Sequence, residues 1–453
     1  MEACLVHAPS LYSKYIICYN YLILFLLKTQ MKRCLLMNIV HYTKSLVRHR
    51  FPALTHDNFR IYWLGQCVSL IGTWMQSIGQ TWLVFSLTGS PLLVGLLGAI
   101  QFLPITIFSL FAGVIIDKYP KRTILLITQL ISMILAFTLS ALVFTHSVRY
   151  EYVLILALIL GFTNTIDMPT RQSFTIEMAG KKDLRNAIAL NSASFNLARI
   201  IGPAIGALIL ASFGAGWCFL FNGLSFMAVL VSLLKLKINS YVRVKVSNDV
   251  IKEIKDGLKY IAGEPSLLQT ILMVLIIGIF VFNFNVILPV FSKNVLHQGE
   301  KVYGLLMSAL GVGSLLGALM VSLNSKSGPQ SKVLISSAVM VSIMLISISF
   351  TKVYYYSALL LVITGIFNIW FSTTANSMLQ ITTKDEYRGR VMSVYSLVFA
   401  GATPIGNMFA GFTSDKFGAG TAFLLSGFLT ISLIVLLKLA FTVSQRAQKL
   451  KPS

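Results

Sequence analysis

Four charged side chains stand where charge is costly. Asp167, Arg171 and Arg199 fall inside long apolar runs, and Glu177 lies just past one. Asp167 and Arg171 are four residues apart, the spacing that joins two side chains on one helix face as an ion pair. A buried arginine in lipid costs several kcal/mol unless it is paired or hydrated, so Arg199 must face a bundle interior. Asp167 and Glu177 are its nearest candidate partners. Such a set supports two kinds of work. A carboxylate that loses and regains a proton can act in a gate or a proton-coupling network. An ion pair can instead fix one helix against the next. Both readings stay open for Arg199.

Uncharged polar groups mark further helices. Gln66, Gln76 and Gln80 punctuate one apolar run, with Gln76 and Gln80 on one face and Thr73 one turn earlier. Asn283, Asn285 and Pro289 do the same in the second half, and Asn164 and Asn368 occupy two other runs. Polar groups in apolar helices either line a cavity or bond to a neighbouring helix. Trp74, Trp82, Phe280, Phe282, Phe284 and Trp370 add aromatic surface suited to an amphipathic or ring-bearing ligand. Gly202-Pro203 and Gly206 permit a bend and close packing. Enzyme chemistry finds no support. There is no GxxxxGK[ST], HExxH or GxSxG pattern. The five cysteines form no CxxC pair. His49, His56, His146 and His297 all lie outside the apolar runs. No catalytic residue, metal or bound cofactor is expected.

The elements that carry these residues follow from composition. Of 453 residues, 56% are hydrophobic and 11% charged, with mean hydropathy +0.78. A soluble globular chain carries roughly 25% charged residues, so an ordinary cytosolic enzyme is excluded and an integral membrane protein remains. At about 20 residues per spanning helix, the apolar runs give twelve spans. Spans 1–6 run near 61–85, 92–116, 123–145, 152–173, 187–211 and 217–236. Spans 7–12 run near 267–291, 303–323, 332–351, 355–376, 391–413 and 420–443. Basic residues alternate between connections, twenty-eight on one side and five on the other. This places both ends of the twelve-helix core in the cytoplasm. It also accounts for the formal charge of +22 without nucleic acid. Residues 1–55 are an extension containing a marginal apolar stretch at 15–27; the working protein is expected to start near Met31 or Met37, with a cleaved signal peptide as the alternative.

The two halves resemble each other at an offset of 201 to 204 residues. Gly161-Phe-Thr-Asn164 matches Gly365-Ile-Phe-Asn368, Lys182-Asp183 matches Lys384-Asp385, and Pro203 matches Pro404. Phe213-Gly-Ala-Gly216 matches Phe417-Gly-Ala-Gly420. Four pairs in order indicate two six-helix halves. The expected fold is therefore an all-α membrane protein. Twelve transmembrane helices form two six-helix bundles related by pseudo-two-fold symmetry, at 56–236 and 267–443. A basic cytoplasmic linker at 237–266 joins them, and a tail covers 444–453. In such 6+6 carriers substrate binds between the halves near the midplane.

Gly113-Val-Ile-Ile-Asp117-Lys118-Tyr-Pro-Lys121-Arg122 resembles the GxxxDRxGRR signature of the major facilitator superfamily, with Lys118 for arginine and Pro120 for glycine. Asn58-Phe-Arg-Ile-Tyr-Trp-Leu-Gly-Gln66, Gly72-Thr-Trp-Met-Gln76, Asp167-Met-Pro-Thr-Arg171-Gln172 and Asn222-Gly-Leu-Ser225 are similar to its bacterial exporter branch of enterobactin-exporter-like and multidrug efflux proteins. Gly202-Pro203 and Gly206 resemble the core of the antiporter-associated motif, without its upstream glycine. The likeness covers residues 56–443. It implies that the Gly113–Arg122 loop gates the cytoplasmic side, with Lys121 and Arg122 pairing with Asp117 or with anionic lipid headgroups. Gly411-Phe-Thr-Ser-Asp415-Lys416 looks like a second copy but falls outside, and the true equivalent should lie near Asn324-Ser-Lys326. The implied protein is a monomeric secondary transporter in the bacterial inner membrane. It would export a drug, siderophore or metabolite, with a proton gradient as energy source and Asp167 or Glu177 as proton carrier. Uptake of a small solute, and a non-transporting scaffold or sensor, are the alternatives.

Overall fold

The computed structural model describes residues 51–236, 250–323 and 328–449, without the side chains at 109–115, 117, 181, 250–254, 385 and 443–449. The N-terminal extension to residue 50, part of the linker (237–249) and the Asn324-Ser-Lys326 segment lie outside the described residues. So do the side chain of Asp117 and the surroundings of Gly113.

Local sequence chemistry sets the helix boundaries. α1 (Asp57–Thr88) stops at Gly89, which takes the left-handed conformation (φ 64°) that glycine accepts without penalty. Pro91 then opens α2 (Pro91–Lys118) at a position where its missing N–H is not needed. Tyr119 precedes Pro120 and is extended, which ends α2 before α3 (Lys121–Phe144) begins. α4 (Tyr150–Gly180) and α5 (Lys182–Phe213) meet at Gly180. α6 (Ala215–Lys235) follows Gly214. The linker contributes α7 (Val250–Gly263).

The second half starts with a departure from the sequence reading. Span 7, expected as one helix, is two: α8 (Pro265–Phe280) and α9 (Phe284–Asn294). The physical reason sits at the break. The Asn283 side-chain amide donates to the Ile279 carbonyl at 2.6 Å, taking an acceptor that the helix would otherwise use. α10 (Glu300–Leu323), α11 (Ser331–Ser349) and α12 (Tyr354–Thr382) follow. The last helical stretch turns at Gly418, dividing α13 (385–417) from α14 (419–449).

Ten stretches among the described residues are long and apolar enough to cross a membrane. One of them, Glu386–Thr442, holds both α13 and α14. α1 is long enough but carries Gln66, Gln76 and Gln80, and completes the twelve. Large apolar side chains such as Ile134, Leu234 and Leu436 stay more than half exposed, a surface suited to lipid rather than water.

The internal repeat is visible in the packing. Gly161 lets α4 approach the Gln101 carbonyl of α2, and Gly365 lets α12 approach the Leu310 carbonyl of α10. Gly214 (φ 90°, ψ 172°) and Gly418 (φ 83°, ψ 159°) adopt one conformation at the two matching turns. Within the N-terminal bundle α1 packs on α5 and α6, and α3 on α6; within the C-terminal bundle α10 packs on α12, and α11 on α12 and α14. The bundles meet along two seams, α2 with α13 and α5 with α10, which the pseudo-two-fold interchanges. Pro203 and Pro404 each free a helix carbonyl, at Arg199 and Ala400. Both carbonyls face the opposite bundle: Arg199 O lies against Gly311, and Ala400 O lies 3.4 Å from Thr106 Oγ1.

Candidate functional site

A buried carboxylate organises the N-terminal bundle. Asp167, on α4, is 4% exposed. Its Oδ1 accepts from Thr128 Oγ1 at 2.6 Å and from Gln129 Nε2 at 3.0 Å, both on α3. Its Oδ2 pairs with Arg171 Nε one turn along α4. Arg171 reaches on to α1, where Nη1 donates to Gln66 Oε1 and lies 3.5 Å from the Tyr62 hydroxyl. Three helices thus converge on one ion pair. Thr175 Oγ1 bonds the Arg171 carbonyl and accepts from Asn191 of α5, extending the network toward the basic end of the bundle.

The i,i+4 pair predicted from spacing is present. The expected partners of Arg199 are not: Asp167 is held by Arg171, and Glu177 by Lys121 at 2.5 Å. Arg199 makes no hydrogen bond or ion pair among the described residues. Lys118 is exposed at the end of α2. Arg122 caps α6, donating to the Leu233 and Leu234 carbonyls at 2.8 and 2.9 Å. Asp415 accepts from Ser90 at the far end of the molecule from this loop, as the reading of Gly411–Lys416 as a decoy requires.

The polar candidates divide. Gln66 joins the Asp167 network and Thr73 is exposed on the same face of α1. Gln76 is used between helices, accepting from Asn222 of α6 at 2.6 Å, and Gln80 is buried. Asn164 is half-buried. Asn283, Asn285 and Asn368 each bury a side-chain oxygen without a protein donor, in and beside the broken span. Gly202 and Gly206 seat α5 against Trp74 and Met75 of α1, while the Pro203 carbonyl faces Gly304 of α10. Tyr62, Thr128 and Gln129 were not singled out by sequence. The available signal was the adjacent polar pair Thr128-Gln129 inside an otherwise apolar span.

Comparison with known proteins gives this arrangement its context. Over 389 residues the chain is 26% identical to a staphyloferrin A transporter of Staphylococcus aureus, covering 84% of this chain and 94% of that one. Over 363 residues it is 26% identical to the multidrug efflux pump Tap of Mycolicibacterium fortuitum, covering 78% and 88%. Among solved structures, the fold is shared with the nucleoside transporter NupG at TM-score 0.64 and 14% identity, over 85% of this chain and 97% of that one. It is also shared with a bacterial homologue of the lysosomal transporter Spinster, inward-facing, at TM-score 0.66 and 14% identity, over 87% and 98%. A family described as transmembrane secretion effector matches residues 49–453. The chain therefore belongs to the transmembrane secretion effector family, as a multi-pass membrane transporter of the major facilitator superfamily and not an enzyme.

Proposed function

We propose that the protein exports a small molecule across the bacterial inner membrane by alternating access, in exchange for protons, with Asp167 as the coupling residue. The observation that carries this reading is the Asp167–Arg171 pair, which is buried and hydrogen-bonded to side chains of three helices. Protonating Asp167 removes the partner of Arg171 and loosens α1 and α3 from α4 in one step. Glu177, half-exposed and paired with Lys121, is the weaker candidate. The seams support alternating access: Ser90–Asp415, Lys293 over the Phe85 ring and Trp82 stacked on Tyr303 all join the halves toward one end. That end is the outer one in the orientation with both core termini cytoplasmic. The basic face at Lys118, Lys121 and Arg122 then meets anionic lipid, and the carrier works as a monomer.

Inverted membrane vesicles, with and without a proton gradient, test the reading against a panel of siderophores, cationic drugs and organic acids. Gradient-driven entry into inverted vesicles is expected, and Asp167→Asn should abolish the dependence on the gradient. Unchanged gradient-driven transport in Asp167→Asn would overturn the coupling assignment. No movement in either direction would favour a scaffold or sensor.

A further inference from the structure

Asp167 is the single acidic residue within the twelve apolar runs, and Arg171 neutralises it. Lys235, Lys332 and Lys438 lie in the runs toward their basic ends, so Arg199 is the deep positive charge left without a partner among the described residues. Its depth follows from the antiparallel pairing of α4 and α5. Asn191 meets Thr175 at 3.2 Å, so eight residues further along each helix Arg199 and Asp167 lie level, about 12 Å deeper.

Helical phase fixes its direction. At about 100° per residue, Arg199 lies roughly 160° from Leu197 and 180° from Leu208 around the α5 axis. Both leucines are outward-facing, 49% and 53% exposed. On one flank of Arg199, Gly202 and Gly206 pack against α1; on the other, Ile200 and Ala207 pack against α10. α1 and α10 belong to different bundles, so the face between them is the cleft between the halves. Ser192 and Asn196 fall on the same stripe, toward the cytoplasmic end, and Ser192 is exposed. Phe195, one turn earlier, packs edge-on against Trp74 at 5.7 Å. The cleft wall thus combines a guanidinium without a partner among the described residues, two small polar groups and an aromatic pair.

We infer that Arg199 is the binding group for an anionic, carboxylate-bearing substrate, which supplies the counter-charge that the described residues do not. The guanidinium offers a planar fork matched to a carboxylate, and the cleft weakens competition from water. This rests on the export reading above and narrows its substrate class.

The test uses the full chain, purified and reconstituted, with three probes: citrate, phthalate and the cation ethidium. Binding and vesicle flux are measured for the wild type, Arg199→Gln and Arg199→Lys. The wild type is expected to bind and move at least one of the two anions. Arg199→Gln should weaken that binding by about 10- to 100-fold. Arg199→Lys keeps the charge but loses the fork, so it should retain part of the affinity even if Arg199→Gln fails to fold. Transport of ethidium and neither anion, or anion affinity unchanged in both variants, overturns the anion assignment and leaves the export reading intact. Movement of none of the three probes overturns both.

Discussion

At the scale of single residues, Asp167 and Arg171 depend on each other. Removing one partner of a buried pair strands the other charge, which costs about 3–5 kcal/mol when burial is complete. Arg171 keeps 19% of its side chain exposed, so about 2–3 kcal/mol is the expected loss for Asp167→Asn or Arg171→Gln alone. The double variant should recover most of that stability without recovering coupling. Unfolding of the three proteins in detergent measures it, and a double variant no more stable than the singles would show that the pair does not act as a unit. The pair was legible in the sequence because both members lie on one helix at i,i+4. The contacts from Tyr62 and Thr128 were not, because they depend on how α1 and α3 rotate against α4. The expectation for Arg199 failed for the same reason. Proximity along the chain offered Asp167 and Glu177, while packing had assigned both to other cations.

At the scale of elements, three breaks rely on one backbone conformation. Gly180 (φ 69°, ψ 165°), Gly214 and Gly418 occupy a region open essentially to glycine alone. A Cβ at Gly214 or Gly418 would meet nothing within 4 Å, so an alanine there strains the backbone without a clash. Gly214→Ala and Gly418→Ala should each cost about 1–3 kcal/mol, with similar values because the turns match. Thermal unfolding checks both, and a marked inequality would show that the repeat is not equivalent at these turns. The repeat itself was readable from Phe213-Gly-Ala-Gly216 and Phe417-Gly-Ala-Gly420, since glycine is required there by conformation. The broken span was not readable. Residues 267–291 are uniformly apolar apart from a few amides, and the break depends on Asn283 folding back onto its own helix.

At the scale of the whole molecule, the two bundles are held at their α2–α13 and α5–α10 seams. A Cβ at Gly98 would sit 3.5 Å from the Asn407 Cβ, within the range of a disulfide. Gly98→Cys with Asn407→Cys, in a chain stripped of its native cysteines, should cross-link under oxidation and stop transport. Reduction should restore it; undiminished flux in the cross-linked protein would show that this seam does not open during the cycle. Twelve spans and their alternation of basic connections were legible from composition because lipid constrains both so tightly. Which seam is closed was not, since one sequence must allow both states. The Arg199 guanidinium, without a partner among the described residues, also has an electrical meaning. If the cleft alternates between the two solutions, the empty carrier returns with a net positive charge, and that return senses the membrane potential. A full traverse of the field would be worth about 2.3 kcal/mol per 100 mV, whereas a carrier neutralised by one bound monoanion would turn over largely indifferent to voltage.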